Sequence, residues 1–385
     1  MITPPAFFST TVTEADRQFA DAARQAGARL ETVPHPLSGP AGEPLQVSIA
    51  RVGATPAAEV LLVLSGTHGI EGFAGAGIQT GILRNLTRFD LGDETALLLV
   101  HLINPWGMAW NRREDHENID VFRNFLYCDD PVIPDPLYDA IDDLWDLAHL
   151  ADRSADENTA LKAEALRRFG GEARMIAAVR RGQHHRPRGM TYHGRAPCWS
   201  RRLLEAQLRR HLAGCRRLAV LDIHTGFGAY GEGLVMSYDP VGDPRHERIR
   251  RWTGGSIYVP GDDADIPPHD KSPYGFIADW VAGVSVTAAI LEFGTLDPDE
   301  HRDLFPANHH YHMYGNPMSE QGRRVGAQYR RYFYPEEPGW VESVWRRGAM
   351  VTGAMLTGLG SWASETVLTP ELGGLSGRGG EGRGS

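Results

Sequence analysis

The sequence predicts an α/β fold with a mixed, mainly parallel central sheet flanked by helices, and three observations carry that prediction. Short uninterrupted apolar runs recur along the chain, as expected of strands buried on both faces of a sheet. Segments of helical periodicity separate them, which is the alternation of a sheet covered by crossover helices. Most of these runs stop at a glycine or at a polar residue that packing does not require.

Residues 13–26 (TEADRQFADAARQA) have amphipathic helical spacing behind a threonine cap. Residues 45–53 (LQVSIARVG) alternate like a half-buried strand. EVLLVLSG (59–66) and ALLLVHLIN (96–104) read as buried strands around a helix at 72–86. The stretch 136–180 carries Leu, Ala, Asp and Arg at helical spacing without strand signals, which predicts a helical excursion on the sheet's periphery. A helix at 200–213 leads into two further buried strands, RLAVLDIHTG (217–226) and VSVTAAILEFGT (284–295), and a last helix is expected from Trp340 to about Leu356. The expected organisation is one domain over 1–372, with a Gly-rich disordered tail over 373–385 that has nothing to bury.

Composition removes several function classes. A length of 385 residues allows a large core, and a charged fraction of 23% is ordinary for a folded domain. The formal charge of −10 speaks against nucleic acid, which needs a basic surface. Three cysteines without CxxC spacing suggest a reducing compartment rather than a disulfide framework. The chain starts without a basic segment followed by an apolar one, and no run approaches the ~18 apolar residues that span a bilayer. The expectation is a cytoplasmic protein with no nucleic-acid or membrane partner.

The chemistry sits at the ends of the strands. His68 and Glu71 follow the strand 59–66 in THGIEG, His224 lies in DIHTG, and Glu292 ends VTAAIL in LEFGT. Ligands of open α/β sheets bind outside the carboxyl ends of the strands, so one crevice can collect all four. Two histidines and a carboxylate, with a position left for water, form the ligand set of catalytic zinc. A further carboxylate can take a proton from that water. Glu292 read alone caps a helix or pairs with an arginine equally well.

These residues belong to a longer ordered series: SGTHGIEGFAG (65–75), NPWGMAWNRRED (104–115), ENIDVFRNF (117–125), GMTYHGRAPCWSRRLLEA (189–206), LDIHTGFG (221–228), LEFGT (291–295) and RYFYPEEPGWVESVWRRG (331–348). The series resembles an uncharacterised bacterial domain family of the zinc metallocarboxypeptidase clan, related to carboxypeptidase A-like enzymes and to the succinylglutamate desuccinylase/aspartoacylase group. The resemblance covers nearly the whole chain except the tail. It implies a zinc-carboxypeptidase-like fold and one zinc ion per chain held by His68, Glu71 and His224, with Glu292 as general base. It also implies a pocket shaped by the ENIDVFRNF segment. There the clan has an Asn–Arg pair that grips a substrate carboxylate. Arg123 keeps the arginine, but Phe122 stands where asparagine is expected and suits an apolar pocket instead. Arg112 or Arg113, with Arg113 favoured, resembles the arginine that stabilises the oxyanion. Asp222 is placed to orient His224.

The expected function is hydrolysis of an amide bond in a short peptide or an N-acyl amino acid. Deacylation of the aspartoacylase type and ester or lactone hydrolysis are variants on the same residues. A non-catalytic protein that binds a small ligand with this fold is the rival from another class. Other signals are weaker. His309, His310 and His312 form a denser histidine cluster but follow no buried strand, and read as a loop or pocket-edge feature, with His312 a candidate second-layer group. His184 and His185 sit in a basic stretch that reads as solvated. Gly226, Gly228 and Gly231 fit GxGxxG, yet EGLVMSYDP beyond them looks like a strand and not the helix that dinucleotide binding needs. No GxSxG elbow is present.

Overall fold

The computed structural model describes residues 4–261 and 274–362, so the expected tail over 373–385 lies outside the described residues. Its centre is a sheet of seven strands: β1 (Arg29–Pro34), β2 (Gln46–Gly53), β3 (Glu59–Ser65), β4 (Thr95–His101), β5 (Arg217–Tyr230), β6 (Gly233–Met236) and β7 (Ser285–Gly294). Their order is β1-β2-β4-β3-β5-β7-β6. The inner four strands β4, β3, β5 and β7 run parallel, and the outer strands pair antiparallel.

β3 and β4 are buried at every position because both faces of the sheet are covered. Successive side chains of a strand point to opposite faces. Leu61 and Val63 accordingly join one core, with the helices Val12–Gln25, Gly72–Arg84 and Pro338–Ser361. Val60, Leu62 and Leu64 join the other, with the helices Val121–Tyr127 and Trp199–His211. Both cores are mainly apolar, and the candidate reactive groups lie at the strand ends.

The five strands read from the sequence are all present. β1 is not among them, since RLETVP is short, carries charge at two of its six positions and ends in the proline that an edge position tolerates. The first helix starts at Val12 and not at residue 13, because the cap is Thr11, whose side chain accepts from the Glu14 amide. β5 runs on to Tyr230, through Gly226 (φ 121°) and Gly228 (φ 104°), where its register on β7 shifts. A Cβ at Gly226 would stand 2.8 Å from the Phe333 ring, so glycine is needed there for both conformation and space. β6 is the strand expected in EGLVMSYDP, and no dinucleotide-binding helix begins at the glycines.

The excursion consists of the helices Pro136–Trp145, Ala155–Phe169 and Glu172–Arg181. A Ser154–Glu157 capping box opens the second, and Gly170 in the left-handed region closes it. These helices own a separate small core around Ile141, Ala165, Phe169 and Ala178. The histidine cluster lies on the helix Pro298–Met313, not on a loop. His310 Nδ1 lies 2.6 Å from the Leu147 carbonyl and His309 Nε2 lies 2.8 Å from that of Arg188, so these two imidazoles join neighbouring segments together. His184 and His185 are half-buried and partnered, by the Gly194 carbonyl at 3.1 Å and Asp139 at 2.7 Å, which corrects their reading as solvated. Cys128, Cys198 and Cys215 are buried free thiols. Among the described residues no helix is long and apolar enough to cross a membrane.

Candidate active site

The chain goes from β3 to β4 on one side of the sheet, while β5 lies on the other side of β3, so a crevice opens at the carboxyl end of β3. Gly66 (φ 70°) turns the chain out of that strand. A three-residue 3-10 turn, Gly69–Glu71, follows with His68 as its cap. Side chains three apart eclipse in such a turn, and His68 Nδ1 lies 3.0 Å from Glu71 Oε1. The turn packs so closely on the helix Pro105–Ala109 that a Cβ at Gly69 would stand 2.4 Å from Gly107. The Gly69 and Ile70 amides donate to the carbonyls of Arg113 and Arg112, at 3.0 and 2.9 Å. The HxxE segment and the arginine pair are thus one locked unit.

β5 brings His224 to the same point. Its Nδ1 is 3.2 Å from His68 Nδ1 and 3.0 Å from Glu71 Oε2. One donor atom from each of His68, Glu71 and His224 lies within 4.8 Å of the others, and all three residues are buried. Ligands 2.0–2.1 Å from a tetrahedral zinc stand roughly 3.3 Å apart, so this donor set fits such an ion in both chemistry and spacing.

Glu292 is the in-register neighbour of His224 on β7, and adjacent parallel residues point to one face. Burial and then the Glu71 carboxylate push its carboxyl up to about 8. For Glu71 itself burial acts in the opposite direction from the two imidazoles, and His68 and His224 hold it well below the usual carboxylate range. Burial would lower His224, but Asp222 and Glu71 prevail and keep it well above an ordinary histidine.

A second layer orients these groups. Asp222 accepts from His224 Nε2 at 2.8 Å, from the Thr67 hydroxyl at 2.8 Å and from the Tyr274 hydroxyl. A carboxylate on the far nitrogen of a ligating histidine fixes its tautomer and aims the other nitrogen. Asp120 does similar work for His68, with Oδ1 3.5 Å from its Nε2. Asp120 also caps the helix Val121–Tyr127 and accepts from both Arg113 and Arg123. Burial opposes its ionisation, and Arg123 and Arg113 overcome that and hold it well below its ordinary value.

The cavity in front of the triad measures about 230 Å³, and its lining includes His68, Glu71, His224, Glu292, Arg113, Phe122 and Arg123. Phe122 stands edge-on to both imidazoles, at 5.9 and 5.8 Å, and so puts an apolar wall against them. Arg113 faces the cavity with Nη2 2.7 Å from His68 Nε2. Arg112 does not line it. Its guanidinium is buried on Glu114 and Asn118 behind the triad, which corrects the expectation that it contacts substrate. His309, His310 and His312 also lie off the lining. The sequence reading missed Asp120, Thr67, Tyr238 and Tyr274. Asp120 alone left a signal, an aspartate three residues before Arg123 at a helix start. Nor did it foresee that the excursion forms a wall of this cavity, with Trp145, Leu166, Met175 and Val179.

A family model described as a protein of unknown function (DUF2817) matches residues 8–347. The chain belongs to that family. No curated protein matches. Among solved structures, bovine thrombin-activatable fibrinolysis inhibitor, determined in complex with tick carboxypeptidase inhibitor, is similar over 91% of this chain and 97% of its own, at 12% identity and a TM-score of 0.47. Carboxypeptidase A from Helicoverpa armigera is similar over 83% and 73%, at 13% identity and a TM-score of 0.43. Succinylglutamate desuccinylase from Chromobacterium violaceum is similar over 83% and 74%, at 14% identity and a TM-score of 0.36. The functional reading of this DUF2817 chain rests on the geometry of its site.

Proposed function

We propose that this protein is a zinc-dependent hydrolase that cleaves an amide bond of a short peptide or an N-acyl amino acid. The observation that carries the reading is the convergence of three buried donor atoms, from His68, Glu71 and His224, beside a fourth carboxyl group in register on the next strand. A non-catalytic binding protein has no need of that fourth group at that position.

His68, Glu71 and His224 would hold the metal, one ion per chain. Zinc bound there supplies Lewis acidity, lowering the pKa of a coordinated water from 15.7 toward ~7 and polarising the scissile carbonyl. Glu292 accepts a proton from the attacking water and returns it to the leaving amine. Glu292, whose carboxyl is raised in part by the Glu71 carboxylate, would be favoured in its basic form once a dication offset that charge. Arg113, anchored by Asp120, donates to the developing oxyanion. Phe122 and Tyr238 keep bulk water from the reacting atoms. Arg123 is anchored on Asp120 and on the Arg180 carbonyl, and it faces the cavity without an asparagine partner. Esters and lactones present the same carbonyl to the same groups, and deacylation of the aspartoacylase type needs no further residue.

The test is elemental analysis of the purified chain and its His224→Ala variant. About one zinc per chain, absent from the variant, supports the reading. No zinc after loading and removal of excess would overturn it.

A further inference from the structure

The cavity is larger than the proposed chemistry requires. It holds about 230 Å³, whereas an attacking water takes up roughly 30 Å³. The reactive groups line it from the edge of the sheet. Facing them, four separate helices each turn one apolar side chain toward it: Trp145 from Pro136–Trp145, Leu166 from Ala155–Phe169, Ile176 from Glu172–Arg181 and Phe305 from Pro298–Met313. All four are half-buried. Trp145, Leu166 and Phe305 rest on the small core of the excursion, so one flank of each is covered and another is left to the cavity.

We infer that this wall receives a large hydrocarbon or aromatic group of the substrate, which makes the enzyme selective for amides that carry one. The inference rests on the hydrolase reading and deepens it. A helix face that meets only water is ordinarily polar, and uncovered apolar surface is unfavourable in proportion to its area. Single apolar side chains scattered over a surface need no explanation. Here four converge from four helices onto one concave wall, in the cavity that also holds the reactive carboxylates and imidazoles. That is the apolar lining of a ligand pocket.

The cations of the wall are committed elsewhere. Lys162 sets its ammonium 3.0 Å from Asp303 Oδ1, and Arg180 and Arg302 have partners of their own. The wall is also tied to the reacting end of the cavity. Arg123 donates to the Arg180 carbonyl and to Asp120, and Asp120 Oδ1 lies 3.5 Å from His68 Nε2. These contacts set the helix Glu172–Arg181 at a fixed reach from the candidate metal ligands. A ligand anchored on the metal therefore meets the wall at a defined length of its tail.

Calorimetric titration of the zinc-loaded protein with straight-chain alkyl hydroxamates, from acetohydroxamate to dodecanohydroxamate, tests this, since the head binds zinc and the tail probes the wall. Once the tail reaches the wall, each added methylene should tighten binding about 2- to 4-fold, the upper figure being a CH₂ group taken wholly from water. Affinity should level off when the wall is full. The double variant Leu166→Asn, Ile176→Asn should keep its zinc and its affinity for acetohydroxamate, and lose the gain from the longer tails. Ile176→Trp fills the wall instead of making it polar, and should move the plateau to a shorter tail. Hydroxamates ending in a phenyl ring, at equal carbon number, separate the sources, binding more tightly than the alkyl ones where the natural group is aromatic. An affinity that does not change with length, or a gain that survives the double variant, overturns the inference. A chain that takes up no zinc overturns the hydrolase reading instead. The wall is then read on that same protein with straight-chain alcohols from butanol to decanol, whose binding needs no metal.

Discussion

The carboxyl edge of the sheet and the helical excursion face each other across one cavity, and they were built under different constraints. At the sheet edge, position is dictated by the backbone. β3, β5 and β7 lie side by side; register sets Glu292 beside His224, and the turn that follows β3 carries His68 to the same edge. Asp222, which accepts from His224 Nε2, and Asp120, 3.5 Å from His68 Nε2, then orient the two imidazoles. In the excursion nothing is in register. Its helices rest on their own small core, and its cavity-facing residues are a mixture of apolar and basic groups that fix no reacting atom. The first region suits chemistry and the second suits selection.

Variants on the two sides should therefore separate metal from stability. The largest effect is expected for His224→Ala, which removes one of three ligands and leaves Glu71 and Asp222 buried against each other. Zinc should fall from about one per chain to none by elemental analysis, and a variant that keeps its metal would remove His224 from the ligand set. Glu292→Gln should hold zinc fully and lower kcat by about 10²- to 10⁴-fold, the usual contribution of a proton-transfer group. Near-normal turnover would take the base role from Glu292. Tyr274→Phe removes one donor to Asp222 without touching a ligand. Zinc affinity should weaken by about 10- to 100-fold in chelator competition, as for other outer-layer partners. An unchanged affinity would make Asp222 self-sufficient.

The same contrast explains what the sequence disclosed. Strands buried on both faces leave continuous apolar runs, and a polar residue just past such a run is conspicuous, so β2, β3, β4, β5 and β7 could be read directly and His68, Glu71 and His224 stood out beside them, while Glu292 needed the family resemblance to be singled out. β1 could not, because an edge strand is short and solvated and RLETVP has no apolar run. Asp120 and Tyr274 were hidden for another reason. Tyr274 meets Asp222 and Asp120 meets His68 across long stretches of chain, and neither spacing nor hydropathy encodes a contact of that range; only the pairing of Asp120 with Arg123 is local. The excursion was legible as helices and illegible as a wall, since helical periodicity reports which face is buried and not what the other face meets.

On the excursion side, Phe169→Ala should cost about 2–3 kcal/mol in its small core, near the lower end for buried phenylalanine since this core is shallow. The loss should appear as faster proteolysis within residues 146–171, with zinc content untouched. Loss of metal together with the excursion would mean that the two regions fold as one unit and would end the comparison.

The last comparison distinguishes compensated carboxyls from an uncompensated one. Asp120 is held ionised by two guanidiniums. Asp16, buried on the first helix, has no cation beside it among the described residues: its Oδ1 lies 3.5 Å from Nε2 of His101. Burial pushes Asp16 up to about 7 and His101 down to about 3. His101 Nδ1 lies 3.0 Å from Gln79 Oε1, and the Gln79 amide donates to the carbonyls of Val63 and Val100, so the proton of a neutral His101 sits on Nδ1 and its bare Nε2 faces Asp16. The sign follows from proton counts. An acid whose folded pKa lies above its unfolded value binds more protons in the native state, so the native state loses stability as pH rises from about 4 to about 7. Asp16→Asn has no proton to lose. It should match the native chain near pH 4 and become the more stable of the two by pH 8, by at most about 4 kcal/mol. Denaturant titrations at the two pH values read the difference directly, and a gap that does not widen with pH would mean that Asp16 is ionised in the folded protein after all, with water or the chain supplying the partner that His101 does not.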